Sequence, residues 1–314
     1  MTGSLPVGAR VRVRVPATSA NIGPGFDALG LALGLYDEVE ATVVPSGLTV
    51  EVAGEGATSV PRDGNHLVVR SFRATLEVLG ADLPGLVLRS VNRIPHGRGL
   101  GSSAAAIVAG IVAARALAPE GDKLLDEAAT LRLASELEGH PDNVAACLLG
   151  GLVVAWTDQA GARGVRLEPA PVETVVFVPG EALSTKVARG LLPPTVPHAD
   201  AAANAGRAAL LVAALTGAAA GAAGDDVDVD VLLAATEDRL HQPYRAPAMA
   251  ASAALVAELR ASGIPAVVSG AGPTVLAFTR VGESGGLPKR APQGFAAMVL
   301  PVDRAGAQVL AVDR

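Results

Sequence analysis

A chain of 314 residues, 50% of them hydrophobic, can bury a large core as one big domain or two ordinary ones. A formal charge of −6 with 3% aromatic residues gives no general nucleic-acid surface, which needs clustered Lys and Arg beside stacking rings. The single cysteine, Cys147, excludes an internal disulfide framework and a cysteine zinc cluster and fits a reducing, cytoplasmic setting.

Residues 1–20 mix valine with arginine and lack the continuous apolar core of a signal peptide. Strict alternation in "VRVRV", Val11 to Val15, predicts a half-buried strand, and "EVEATVV" and "LTVEVAG" predict two more. Leu67, Val68, Phe72, Leu76 and Leu79 carry helical spacing over 65–79, and "GLVLRSV" reads as the next strand. Two helices are expected over 102–117 and 122–138, then a strand in "GGLVVAWT". A boundary near 160, in the polar, glycine-rich "TDQAGARG", divides the chain into 1–160 and 161–314.

The second half mixes helices near 199–216, 228–240 and 247–261 with strands near 172–178, 265–268, 274–279 and 295–301, an α+β pattern. The alanine-rich run 208–223 is shorter than a typical ~20-residue membrane span and reads as a buried helix. The Ala/Gly tract over 217–224 reads as a loop between helices, and the proline-rich stretch 179–198 is long enough for a functional loop.

The chemistry concentrates around "PHGRGLGSSAAAI", Pro95 to Ile107. A backbone that approaches phosphate needs residues without Cβ, free N–H groups and a helix N-terminus, and Gly97, Gly99, Gly101, Ser102 and Ser103 ahead of a helical alanine run meet all three needs. No lysine precedes the serine pair, so the Walker form fails; G-x-G-x-G spacing fails the dinucleotide form. Glycine content alone fits a flexible turn equally well.

Pro95, Gly99, Leu100, Gly101, Ser102, Ser103 and Ala104 match P-x-x-x-G-L-G-S-S-A, and in this the chain resembles the GHMP kinases. "VPATSANIGPGFD" near the start and "VVSGAGPTVLAF" near the end fall in the same family order. The first of these looks like the homoserine-phosphorylating branch rather than the mevalonate or galactose branches. The resemblance implies a two-domain α+β fold, with a ribosomal protein S5 domain 2-like N-terminal half and a ferredoxin-like C-terminal half. It also implies ATP and Mg2+ as cofactors, L-homoserine as substrate, O-phospho-L-homoserine for threonine synthesis as product, and a homodimer. Another small-molecule kinase of the family, or a catalytically silent binding protein, is the alternative.

Residue by residue, the resemblance places ATP against Asn65 and the loop Pro95, His96, Gly97, Arg98, Gly99, Leu100, Gly101, Ser102, Ser103, Ala104 and Ala105. It places Mg2+ on Ser103 and Glu138, with Glu136 as the alternative because "EGHPDN" is tighter than in some relatives. For the substrate it implies Asn21, Asp27, Thr185, Arg189 and Arg245, leaving Lys186, Arg239 and His241 in second rank. A zwitterion needs an anion for its ammonium and a cation for its carboxylate, which Asp27 and the two arginines can supply, although Asp27 alone also suits a turn or helix cap. For catalysis it implies that Asn143 orients the hydroxyl, with His140 nearby and Asp142 as candidate base; phosphoryl transfer asks mainly for alignment and charge stabilisation. Ser269 to Thr274 is expected to close the site.

Overall fold

The computed structural model describes residues 3–218 and 227–313, so the expected loop over 217–224 and the end of the 208–223 run lie, from 219 on, outside the described residues. The first half runs β1 (Arg10–Ala20), β2 (Leu29–Val43), β3 (Gly47–Gly54), α1 (Leu67–Leu79), β4 (Gly85–Asn92) and α2 (Ser102–Leu117). Then come α3 (Gly121–Leu124), α4 (Glu127–Glu138), α5 (Pro141–Leu149) and the hairpin β5 (Leu152–Asp158) and β6 (Gly161–Leu167). The alternation read in the sequence is real: Val11, Val13 and Val15 are buried, while Arg12 reaches Glu38 on the exposed face. A register shift at Pro16/Ala17 bends β1 and β2, so β2 pairs β4 through its second half and β5 through its first.

The second half begins with β7 (Glu173–Pro179) and passes through α6 (Thr185–Gly190), α7 (His198–Leu215), α8 (Val229–Ala235), α9 (Gln242–Arg245) and α10 (Ala250–Ala261). It closes with β8 (Ala266–Val268), β9 (Val275–Thr279), β10 (Phe295–Pro301) and β11 (Gln308–Asp313). Among the described residues, β7 to β10 form an antiparallel sheet in the order β10-β7-β9-β8, the 4-1-3-2 arrangement of a ferredoxin-like half. The terminal β11 crosses back to pair with β1 in the first sheet. The expected boundary near 160 falls in the β5–β6 hairpin, and the first sheet continues to Leu167.

α2 is the axis of the core, buried on every side from Ile107 to Ala114. Gly110 lets α1 lie against it, since a Cβ there would meet the Val68 carbonyl oxygen at 2.5 Å. The single helix expected over 122–138 is two, because Asp126 caps α4 by accepting the Ala129 N–H at 2.7 Å. The helix expected over 228–240 stops at Ala235, where the chain turns into the segment that carries His241. Among the described residues no helix is long and apolar enough to cross a membrane.

Candidate active site

Gly97, Gly99 and Gly101 have φ of 64°, 78° and 71°, so the loop before α2 alternates left-handed glycines with ordinary residues. That alternation curls successive N–H groups toward one side, a concavity suited to anions, and α2 adds the positive end of its dipole. The three glycines with Ser102 and Ser103 line a cleft of about 410 Å³. Leu100 and Ala104 point into the core, and Arg98 donates from Nε to the Pro179 carbonyl at 2.9 Å and from Nη1 to that of His96 at 2.9 Å. Those three residues can therefore offer ATP only backbone, and Pro95 borders neither this cleft nor the second cavity on the far side of Ser102 and Ser103.

The third motif, expected to close the site, packs against this loop. Ser269 Oγ donates to the Gly99 carbonyl at 2.6 Å, the Thr274 N–H to that of Arg98 at 3.1 Å, and the Gly270 N–H to that of Ala20 at 2.9 Å. On the far side of Ser102 and Ser103 lies a more apolar cavity of about 260 Å³, lined by Asn65, His66, His96 and Ala105. Its floor includes Asp37, a residue that no motif singled out. The Asp37 carboxylate accepts the N–H groups of Arg93 at 2.6 Å and Ile94 at 2.9 Å, fixing the stem of the glycine loop, and burial raises its pKa against those two bonds. A charged residue after the apolar alternation of β2 was its only sequence signal.

Ser103 Oγ donates to Glu138 Oε1 at 2.6 Å, which brings the expected metal pair together across α2 and α4. Burial pushes the Glu138 carboxyl up and the serine hydroxyl partly offsets it. Among the described residues no cluster of three His, Cys, Asp or Glu could hold a metal. A hydroxyl and one carboxylate beside a loop suited to anions are nonetheless hard oxygen donors of the kind that suits Mg2+, which takes water and phosphate oxygens for the rest of its shell. Glu136, the alternative, is exposed and borders neither cavity.

α5 starts beside this pair, with His140 as its N-cap and Pro141 at its first position. Asn143 Oδ1 accepts the Thr18 hydroxyl at 2.8 Å, which leaves its Nδ2 amide with no acceptor among the described residues. Asp142 is buried; its Oδ1 accepts the Asn143 N–H at 2.9 Å and its Oδ2 has no partner among the described residues. Burial pushes its pKa up to about 6, opposed by the Asn143 N–H, with the Asp27 charge raising it further. His140 is held below the ordinary histidine value by burial first and Arg189 second. All three line the cleft.

The remaining wall is the expected substrate side. Asn21 and Asp27 both adopt positive φ, 54° and 52°, in the turn around Gly23 and Gly25, and Asn21 Oδ1 accepts the Asp27 N–H at 2.8 Å. Asp27 takes a two-pronged bond from Arg189 of α6, at 2.6 and 3.1 Å, so residues 162 apart in sequence meet. Thr185, at the start of α6, lines the same wall. Arg245 is wholly buried: Nη1 reaches His241 Nδ1 at 3.2 Å and the Gly270 carbonyl at 3.4 Å, while Nε and Nη2 have no partner among the described residues. The Phe26 ring lies under both guanidinium groups, 5.6 Å from Arg189 and 5.2 Å from Arg245. Arg239 is occupied elsewhere, with Glu237 and Asp200.

The GHMP kinases N terminal domain family matches residues 66–151 and the GHMP kinases C terminal family matches 218–291. The chain is 58% identical over 311 residues to the homoserine kinase of Streptomyces avermitilis, covering 99% of each chain. It is 51% identical to that of Mycolicibacterium smegmatis, covering 93% of this chain and 90% of the relative. The crystal structure of the homoserine kinase from Cytophaga hutchinsonii superposes with a TM-score of 0.81 at 27% identity, covering 96% of this chain and 97% of that one. With the glycine nest, the two-sheet architecture and these full-length matches in agreement, the chain belongs to the GHMP kinase family and, within it, groups with the homoserine kinases.

Proposed function

We propose that the chain transfers the γ-phosphoryl group of ATP to the side-chain hydroxyl of L-homoserine, yielding O-phospho-L-homoserine for threonine synthesis in the cytoplasm. One observation carries this assignment: Arg245 lies at the wall of the cleft that holds the glycine nest, beside the Arg189 that grips Asp27, and its buried Nε and Nη2 have no partner among the described residues. A buried cation with open donors is costly until an anion completes it, and a carboxylate fits the guanidinium fork. Asp27 offers the matching site for an ammonium. A sugar would leave Arg245 unmatched, and mevalonate would leave Asp27 unmatched.

In this scheme the ammonium docks on Asp27 and Asn21, and the carboxylate on Arg189 and Arg245 with the Thr185 hydroxyl beside it. The zwitterion thereby takes over both ends of the Asp27–Arg189 pair. The triphosphate lies along the nest from Gly97 to Ser103, and the adenine enters the cavity around Asn65 and His96. Ser103 and Glu138 would hold magnesium, which would supply positive charge to offset that of the phosphates. Asn143, braced by Thr18, directs its amide at the homoserine hydroxyl, and the Asp142 carboxylate receives the proton. His140, its pKa lowered by burial and Arg189, is the second proton acceptor within the cleft. A loose transition state asks no more than this of a base.

ADP release by the purified chain with Mg-ATP and a panel of homoserine, mevalonate, galactose and shikimate tests the assignment. Homoserine alone should support turnover; a response to another acceptor refutes it, and silence across the panel with ATP bound would leave a binding protein. Asn143→Ala should lower kcat about a hundredfold while the KM for ATP stays within about twofold, because the lost contact is made to the attacking group. Equal loss in both constants would remove Asn143 from the transfer step.

Asp142→Asn should cut kcat and remove an acid limb centred near pH 6 from the kcat profile. The same variant should gain stability. The folded carboxyl titrates above its ordinary value of 3.8, so the ionised form burdens the fold fully above about pH 6, and the burden disappears as pH falls toward 4. Asparagine keeps the acceptor for the Asn143 N–H and should raise stability by up to about 3 kcal/mol at pH 7.5, less at pH 4.5. Denaturant melts at the two pH values read it; a variant less stable at pH 7.5 contradicts it.

A further inference from the structure

We infer that His241 is a positioning residue for substrate: its neutral imidazole holds the Arg245 guanidinium toward the cleft without neutralising it, and ties it to the turn that carries Asn21 and Asp27. The inference builds on the amino-acid site proposed above and adds the device that keeps its most buried cation in place.

The hydrogen bonds determine the tautomer. His241 Nε2 lies 2.8 Å from the Gly23 carbonyl oxygen, which can only accept, so Nε2 carries the hydrogen. Nδ1 is then a lone pair, and Arg245 Nη1 donates to it at 3.2 Å. Gly23 belongs to the substrate turn, and Arg245 is the last residue of α9, so one ring spans both halves of the pocket. The ring also stacks on Phe26, with centroids 5.2 Å apart and planes 26° from parallel, and Phe26 is the floor beneath both arginines.

Why histidine stands here follows from the alternatives. A carboxylate at this position would pair with Arg245 and leave less positive charge for a substrate carboxylate. An apolar residue would leave the guanidinium with a single hydrogen bond among the described residues, of 3.4 Å to the Gly270 carbonyl. A neutral acceptor fixes direction and preserves charge. The charged groups facing the ring are Arg245 and, 3.6 Å from Nε2, Asp238; Asp27, Arg189 and Asp142 act on it at one remove, through Arg245. The Asp238 carboxylate is already engaged by the N–H groups of Leu240, His241 and Gln242. Burial and Arg245 disfavour a proton on Nδ1 and Asp238 favours one; once there, that proton would replace an acceptor by a donor facing a cation.

The test compares L-homoserine with L-homoserine amide, which lacks the carboxylate charge, in the wild type, His241→Phe, His241→Gln, Arg245→Met and the His241→Phe/Arg245→Met double variant. His241→Phe should raise the KM for homoserine about tenfold to a hundredfold, the size of one lost hydrogen bond to a charged group, with kcat and the KM for ATP unchanged. The amide should show less than about a twofold effect, since Arg245 has no carboxylate to meet there. Glutamine can donate to Gly23 and accept from Arg245, and should recover most of the loss. In the Arg245→Met background, His241→Phe should add nothing further. Equal losses on both substrates, or an unchanged KM for homoserine, overturn the inference while leaving the kinase assignment standing. A wild type inert toward homoserine overturns both. Should His241→Phe fail to fold, the wild type decides: the KM for homoserine must climb as pH falls below the ordinary histidine range while that for the amide stays level, and two level profiles overturn the inference.

Discussion

Replacing Gly101 by alanine is expected to cut kcat by about a hundredfold or more and to raise the KM for ATP, because a shift of ~1 Å in a positioned group can cost that much. Gly101 precedes α2 with a φ of 71°, a conformation that costs an alanine about 1–2 kcal/mol. The steric problem is larger. A Cβ at this position would stand 1.9 Å from Thr18 Oγ1, 3.2 Å from Thr18 Cβ and 3.3 Å from Asn143 Oδ1. Thr18 cannot retreat: it is buried in β1, and its N–H donates to the Leu100 carbonyl at 3.1 Å. The glycine loop must move instead, which tilts the nest away from the phosphates and pulls apart the Thr18–Asn143 bond that aims the amide. Adding Thr18→Ala should relieve the overlap, restoring part of the ATP affinity but little of kcat, since the brace on Asn143 is then gone. Unchanged kcat and KM in Gly101→Ala would mean that the nest does not hold the triphosphate.

The parts of this molecule legible in its sequence are those where backbone geometry leaves one residue type little choice. Gly97, Gly99 and Gly101 announce themselves because left-handed φ and close approach tolerate no side chain, and Val11, Val13 and Val15 because a half-buried strand alternates. The unread strands lacked those constraints. β11 is an exposed edge with a barely alternating face, and β6 has exposed or half-buried residues at all but one position. The helix expected over 122–138 ends where expected, but its break at 125–126 was missed because Asp126 reads as one more acid in a polar stretch, although as a cap three residues ahead of Ala129 it was a detectable start. Long-range pairing was the least legible of all. Nothing local to Asp27 indicates that Arg189 pairs with it, or that Arg245, through His241 four residues earlier, is tied to the turn at Gly23. Asp37 escaped for a related reason, since its two bonds go to backbone that any residue type could supply.

Arg245→Met should raise the KM for homoserine by about a hundredfold to a thousandfold while leaving the KM for ATP within about twofold, the loss of a two-pronged, charge-assisted contact. The same substitution should leave the unfolding temperature at or above that of the wild type. These two outcomes are coupled by the bonding pattern of the guanidinium. An arginine kept for the fold would have its donors filled, and truncating it would strand its partners. Here the group is fully buried, burial lowers its pKa, and two of its nitrogens have no hydrogen-bond partner among the described residues. Its removal orphans the His241 Nδ1 lone pair and a long contact to Gly270, about 1 kcal/mol each, and loses the Phe26 ring contact, against the several kcal/mol that an under-bonded buried charge costs. Arg245→Lys should fall between, retaining charge but not the fork, with a smaller rise in KM. Measured together, thermal melts and substrate constants separate the two roles. Loss of homoserine affinity with a steady or raised melting temperature marks an arginine under-bonded in the fold so that a substrate can complete it; a lowered melting temperature with an unchanged KM would make it a structural residue and take the carboxylate site with it.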